Sequence, residues 1–483
     1  MSDPIAPTTN PAAADKVSIN LYTRNPAHAI PQSTYLIPAD WRRFQLSELI
    51  NKVLHTTSGD SAESAAPTPF DFIIDGELLR TTLDNWVKSR KNGDFESVIN
   101  VEYIQSLLPP KQLESFPQDD WVSAVSIQRP GYILMSSYLS HAKVIPMTQA
   151  GASATEDASI TMNLPSSLGA TCCSWLSPST QNENILLGAG GVDRQAHIFR
   201  IPSLLDMAAA TTTTTITPPQ EIMTLHLHTG PISSITPSRN YEHVLTSSWD
   251  GLLGIFSLPT PSNPLEESHD LPAEPKSYLP GQNSKKKRKL AGAGAGGGDA
   301  QVGGWRKQPD MVMRGHTARI GGAIWDKEDR NKVWSAAWDG SVRGWEADLG
   351  FNSVLKQGPS DKAALCIDQM TGSGTLATGH MDRTVCLWDT REATSLISLT
   401  LQTASPVPSL RAHPTSPYTL ATGTYSGTLQ IWDVRSPKQA LFSVKRQQKE
   451  GKGERVLGID WNGEVLVAGG EDGEVSVWSA RGE

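Results

Sequence analysis

The chain has 483 residues, a formal net charge of −8, and 38% hydrophobic against 19% charged residues, a length and apolar content that suit two or more domains with a large buried core. The acidic balance argues against a general nucleic-acid binder and leaves room only for a local basic contact. Four cysteines, Cys172, Cys173, Cys366 and Cys386, have neither CxxC spacing nor the density of a disulfide scaffold, which fits a reducing compartment and excludes a zinc site built by spacing.

Residues 1–15 are rich in Pro, Ala and Thr and lack the basic start and apolar run of a signal peptide, so a disordered start and no secretion are expected. No window approaches eighteen consecutive apolar residues, and a soluble protein with no membrane span is expected. From there to residue 105 the pattern is that of a small α+β domain. Val17–Thr23 alternates like a half-buried strand, and Ser33–Ile37 reads as its antiparallel partner. Leu46, Leu49, Ile50, Val53 and Leu54 recur at helical spacing and form one apolar stripe. After a Ser/Ala/Pro loop over 56–69, Phe70–Gly76 and Glu77–Leu79 read as strands about an Asp-Gly turn, and Val98–Tyr103 as the last strand. The order strand, strand, helix, strand, strand resembles a ubiquitin-like fold. No C-terminal Gly-Gly follows, which argues against conjugation.

Residues 106–118 carry Pro109, Pro110 and Pro117, as a linker does, while Lys111–Phe116 also has the character of an outer strand closing a ring of sheets. Residues 119–483 are repetitive. An aspartate is followed six residues later by Trp or Phe at Asp193/Phe199, Asp250/Phe256, Asp339/Trp345, Asp382/Trp388 and Asp472/Trp478; Ser426/Trp432 and Leu139/Ile145 are worn copies. From Asp339 the slots at 382, 426 and 472 lie 43, 44 and 46 residues apart, the period of a four-stranded propeller blade. Val333–Trp338, the Asp339-Gly340 turn and Ser341–Trp345 read as two antiparallel strands. Insertions fall at 148–164, 207–220 and 259–304. The longest is of low complexity and carries Lys285, Lys286, Lys287, Arg288 and Lys289, a basic run suited to nuclear localisation or to a phosphate contact.

These units resemble WD40 repeats, so the expected fold class is mainly β: a seven-bladed WD40 propeller preceded by the ubiquitin-like domain. In the fullest copy the resemblance implies a buried relay of His316, Ser335, Asp339 and Trp345, with His228 and Asp250 as a second instance; a buried aspartate is tolerable only when so satisfied. Because the set recurs from blade to blade, a structural role is expected rather than a catalytic one. The blades ending at Trp388 and Trp478 show no Gly-His and are expected to be looser. Those with Leu139/Ile145 and Phe199 are expected to rest on apolar packing more than on the relay.

Phe70–Arg80, Asn100–Tyr103 and Asp119–Ser123 ahead of a seven-bladed propeller together resemble the ribosome-biogenesis WD-repeat proteins with a notchless-like N-terminal domain that work in the Pescadillo/block-of-proliferation complex. The resemblance implies a non-catalytic assembly factor without cofactors, acting on the pre-60S particle in the nucleus, nucleolus and nucleoplasm. Its implied partners are the block-of-proliferation WD40 protein, propeller to propeller, Pescadillo, and the midasin AAA ATPase. For midasin the resemblance implies one carboxylate of the ubiquitin-like domain completing the coordination of midasin's own metal; the matching residue is Glu96, with Asp94 and Glu77 as alternatives. Direct RNA contact stays open. Two rivals remain: Trp388–Arg391 and Trp432–Arg435 match the WDxR pattern of cullin ubiquitin-ligase receptors, and cousins with the same N-terminal domain have an extra blade. Absence of GxxxxGK[ST], HExxH and GxSxG argues against an enzyme.

Overall fold

The computed structural model describes residues 16–58, 67–89, 98–107, 109–147, 159–204, 218–259, 305–357, 362–391, 397–446 and 452–480. The chain forms two compact units, a small N-terminal one and a much larger ring of sheets.

The N-terminal unit contains β1 (Lys16–Tyr22), β2 (Thr34–Pro38), α1 (Arg43–Ser58), β3 (Phe70–Ile74), β4 (Glu77–Leu78), α2 (Leu83–Lys88) and β5 (Ile99–Gln105). The sheet order is β2-β1-β5-β3-β4, with β1 and β5 parallel and the other pairs antiparallel. Asp75 and Gly76 adopt φ of 48° and 77° between β3 and β4, the left-handed pair that a tight hairpin needs. Leu46 and Ile50 of α1 are fully buried against Val17, Ile19, Phe72 and Val101, with Leu49, Val53 and Leu54 at the margin of the same core. Tyr103 brings a polar atom into that core and satisfies it twice, donating to His28 O at 2.7 Å and accepting from Ile30 N at 3.1 Å. The helix α2 escapes a periodicity reading because six residues give too few turns; Thr82 caps it by accepting from Asn85 N.

Among the described residues the larger unit has seven sheets. Their first strands are Val122–Ser126, Ala170–Trp175, Ile232–Pro237, Ile320–Trp325, Ala364–Gln369, Ser409–Ala412 and Val456–Trp461. Each first strand packs against that of the next blade, and the seventh packs against the first, so the ring is closed. Blade 7 takes its outer strand from an early part of the sequence: β6 (Lys111–Pro117) pairs antiparallel with Glu474–Ser479, which completes the four strands of the last blade and fastens the ring. Blade 2 has an unforeseen fifth strand, Trp305–Lys307, parallel to Gln220–His226 on its rim. It follows the 259–304 insertion, and three residues are too short to announce a strand.

Carboxylates rivet the ring from within. Asp460 of blade 7 accepts from Ile127 N of blade 1 at 2.7 Å and pairs with Arg411 of blade 6 at 3.0 Å. Asp368 of blade 5 accepts from Ala412 N of blade 6 at 2.8 Å. Removing Asp460 takes one carboxylate from the half-buried Arg411 guanidinium and leaves a buried N–H unpaired at the ring's closing seam. Asp460→Ala is therefore expected to cost about 1–3 kcal/mol, measured as a lower midpoint of chemical denaturation; an unchanged midpoint would contradict the rivet.

Candidate partner-docking face

One face of the ring is built by the turns that carry the repeating aspartate. The residue after that slot is left-handed in all seven blades: Ser140, Arg194, Gly251, Gly340, Arg383, Gly427 and Gly473. In blade 4, Trp345 Nε1 donates to Ser335 Oγ at 2.8 Å, Ser335 Oγ lies 2.7 Å from His316 Nε2, and His316 Nδ1 lies 3.1 Å from Asp339. A neutral histidine with its proton on Nδ1 satisfies every member in sequence. Asp339 also accepts from Thr317 N and from Ser341. Burial works to raise its pKa, but these bonds outweigh burial and hold it well below the usual carboxylate range. The structure thus brings His316, Ser335, Asp339 and Trp345 into one line.

Blade 3 repeats the arrangement with His228, Thr246 and Asp250. Burial opposes ionisation of Asp250, yet His228 and the Thr229 and Leu252 amides bring its pKa down to about 2.

The expectation of looser blades at Trp388 and Trp478 needs correction, because another nitrogen donor reaches each aspartate. Lys362 Nζ meets Asp382 at 2.6 Å, while Trp388 Nε1 and His380 Nε2 share Thr378 Oγ1 at 2.8 and 2.7 Å. Arg446 meets Asp472 at 2.7 Å, with both side chains almost fully buried. Blade 2 also differs from its expected reliance on apolar packing: His197, on the strand itself, bridges Asp193 at 3.0 Å and Glu221 at 2.7 Å. A Gly-His search cannot find these donors, since the chemistry requires only an N–H at that point in space. Blades 1 and 6, with Leu139 and Ser426 at the slot, have no carboxylate there; in blade 6 the hydroxyls of Thr424, Ser426 and Thr428 bond to one another.

With the polar members turned inward, the residue preceding the slot is exposed in blades 1, 3, 4 and 5, half-buried in blades 2 and 6, and buried as Glu471 in blade 7. Its amide bonds to the carbonyl just before or near the first strand of the same blade: Tyr138 to Trp121, Val192 to Gly169, Trp249 to Pro231, Trp338 to Arg319, Met381 to Ala363, Tyr425 to Pro406 and Glu471 to Arg455. These positions form a ring around the face. Trp121, Tyr138, Trp249, Trp338 and Met381 are all exposed, Trp249 by 43% and Trp338 by 37%. Large aromatics in water on one face mark an interaction surface. Sequence reading assigned Trp338 to a strand alternation and Trp121 to the motif that opens the propeller, and passed over the others; the available signal was the recurrence of bulky residues immediately before the aspartate slot.

The thiols do not take part. Burial pushes Cys172 and Cys366 up to about 12, against thiolate formation. Glu77 is the first residue of β4, next to the Asp75-Gly76 turn. Glu96, Asp94 and the run Lys285 to Lys289 lie outside the described residues. Arg391 and Arg435, the WDxR arginines, fold back on their own motif aspartates, Asp389 at 3.2 Å and Asp433 at 2.6 Å.

Two predictions test the relay. Asp339→Ala is expected to cost about 1–3 kcal/mol through orphaned buried donors, seen as a lower thermal midpoint with the exposed aromatics unchanged. His197 is opposed by burial, but Asp193 and Glu221 outweigh it and raise its pKa to about 9. Its contribution to stability is then complete below its ordinary value of about 6.5 and is lost as pH climbs through about 9. Denaturation midpoints of the wild type are expected to fall across that window more than those of Glu221→Gln; parallel curves would refute it.

Comparison with known proteins agrees with both units. The family model of the NLE (NUC135) domain matches residues 17–87, and that of the WD domain, G-beta repeat, matches 219–257, 354–389 and 395–433. The crystal structure of the WD40 beta propeller domain of Doa1 aligns with a TM-score of 0.53 at 13% identity, over 77% of this chain and 97% of that one, a likeness of fold alone. "Ribosome biogenesis protein YTM1" of Laccaria bicolor is 31% identical over 475 residues, 96% of this chain and 94% of its own length. The protein of the same description from Coprinopsis cinerea is 31% identical over 470 residues, 97% and 95% of the two lengths. By this near full-length correspondence the chain belongs to the YTM1 family of ribosome biogenesis proteins.

Proposed function

We propose that this protein is a ribosome biogenesis factor, and more narrowly a non-catalytic assembly factor of the large subunit. In this reading it acts as a scaffold in the Pescadillo/block-of-proliferation complex, which supports maturation of the 25S/28S and 5.8S ribosomal RNAs. The observation that carries the docking role is the ring of exposed aromatic side chains on a face whose backbone is fixed by buried relays. Rigid aromatic anchors bind a partner at low entropic cost, and the occupant we assign is the propeller of the block-of-proliferation protein. The WDxR alternative is weakened because each arginine is already engaged by its own aspartate.

The N-terminal domain supplies the second contact, with midasin. Glu96 is the proposed carboxylate; a hard cation such as magnesium accepts one oxygen from a partner at an open octahedral position. The metal belongs to midasin. Lys285 to Lys289 are the proposed nuclear address, with residence in nucleolus and nucleoplasm.

Glu96→Ala is expected to leave the protein folded and particle-bound while abolishing midasin binding in magnesium, with the wild type losing the same binding in chelator. Equal binding by mutant and wild type in magnesium would rule out the ligand role. Deleting Lys285 to Lys289 is expected to lower nuclear accumulation of a tagged protein, and full nuclear retention would assign import to another signal.

A further inference from the structure

The geometry points to Arg319 as the receptor for a carboxylate side chain of the docking partner, a reading that rests on the docking role assigned to this face above. Arg319 immediately precedes the first strand of blade 4 and is exposed. Its guanidinium carbon lies 4.6 Å from the ring centroid of Trp249 in blade 3 and 5.2 Å from that of Trp338 in blade 4. Two indoles therefore hold the planar group, and much of the rotamer freedom that binding would otherwise remove is already gone. The fork itself is unused: among the described residues the side chain of Arg319 makes no hydrogen bond or ion pair, although a guanidinium offers five N–H donors.

The same ring provides an internal control. Arg455 occupies the equivalent place in blade 7, since Glu471 N bonds to Arg455 O as Trp338 N bonds to Arg319 O. Its guanidinium lies 4.9 Å from the Tyr425 ring of the preceding blade, as that of Arg319 lies near Trp249. The difference is the residue before the aspartate slot. In blade 7 that residue is Glu471, and it takes the guanidinium at 3.3 Å. In blade 4 it is Trp338, which holds the cation without neutralising it. The fold thus builds one position twice, supplying the acid once and omitting it once.

A carboxylate suits this vacancy better than the phosphates of a nucleic acid. Tracking a phosphodiester backbone takes several cations, but the ring positions flanking Arg319 are Pro231, Trp249, Trp338 and Met381, and of the turn residues after the slots of blades 3 to 5 only Arg383 carries a charge. A single preorganised arginine amid exposed apolar groups is the anatomy of a protein hot spot, where an acidic residue bonds the fork and its apolar neighbours cover the indoles.

The test titrates the full-length protein, as wild type and as Arg319→Ala, Arg319→Lys and Arg319→Glu, against the purified block-of-proliferation protein and separately against a single-stranded RNA oligonucleotide. Arg319 is exposed and, among the described residues, its side chain makes no hydrogen bond or ion pair, so unfolding midpoints serve as the control for folding. Arg319→Ala is expected to weaken partner binding by about 30-fold or more. Arg319→Lys should restore it only in part, because an ammonium lacks the fork and the stacking plane, and Arg319→Glu should abolish it. Wild-type affinity in Arg319→Glu overturns the carboxylate site and leaves the docking reading standing. No binding by the wild type overturns both. A loss confined to the RNA titration overturns the carboxylate in favour of phosphate.

Discussion

Burying a carboxylate at the end of a blade obliges the chain to bring an N–H donor to the same point. Five blades have the aspartate, and each has a nitrogen donor on it: His197, His228, His316, Lys362 and Arg446. The two blades with Leu139 and Ser426 at the slot have no charge to satisfy. The cost of an unpartnered buried charge exceeds the worth of any particular donor, so the pairing persists while the donor's identity drifts. Local order on the docking face follows, because a turn whose aspartate is tied down on several sides presents the residue ahead of it at a fixed angle.

That distinction also explains what was legible in the sequence. The repeat and the fold class were readable because an aspartate and an aromatic six residues apart lie within one hairpin, and hairpins are local. The apolar stripe of α1 was readable for the same reason. The donors Lys362 and Arg446 were hidden because they reach their aspartates from preceding connections, without the Gly-His spacing that marks the usual solution. Trp305–Lys307 was hidden because its partner lies on the rim of a different blade. Trp338 was read as a strand residue: period two reports which side of a sheet a side chain leaves, and the last position of a strand has already left the sheet's interior.

The comparison of Arg319 with Arg455 shows how a repeated scaffold separates stability from recognition. Inward positions are constrained by desolvation, so their chemistry recurs. The positions one residue away on the same backbone are free to differ, with a buried acid paired to its arginine in one blade and an exposed indole in another. A face assembled in this manner acquires specificity by single substitutions that leave the ring intact.

The pairing of β6 with Glu474–Ser479 joins segments made at opposite ends of synthesis. With translation at about 5–20 residues per second, the interval between them is on the order of 20–70 seconds. Throughout it, the early strand has no partner and the growing disc stays open, a template for pairing with other nascent chains. A factor of ribosome assembly is in this way itself at risk while it leaves a ribosome, and a chaperone that shields one strand edge for a minute would remove the hazard.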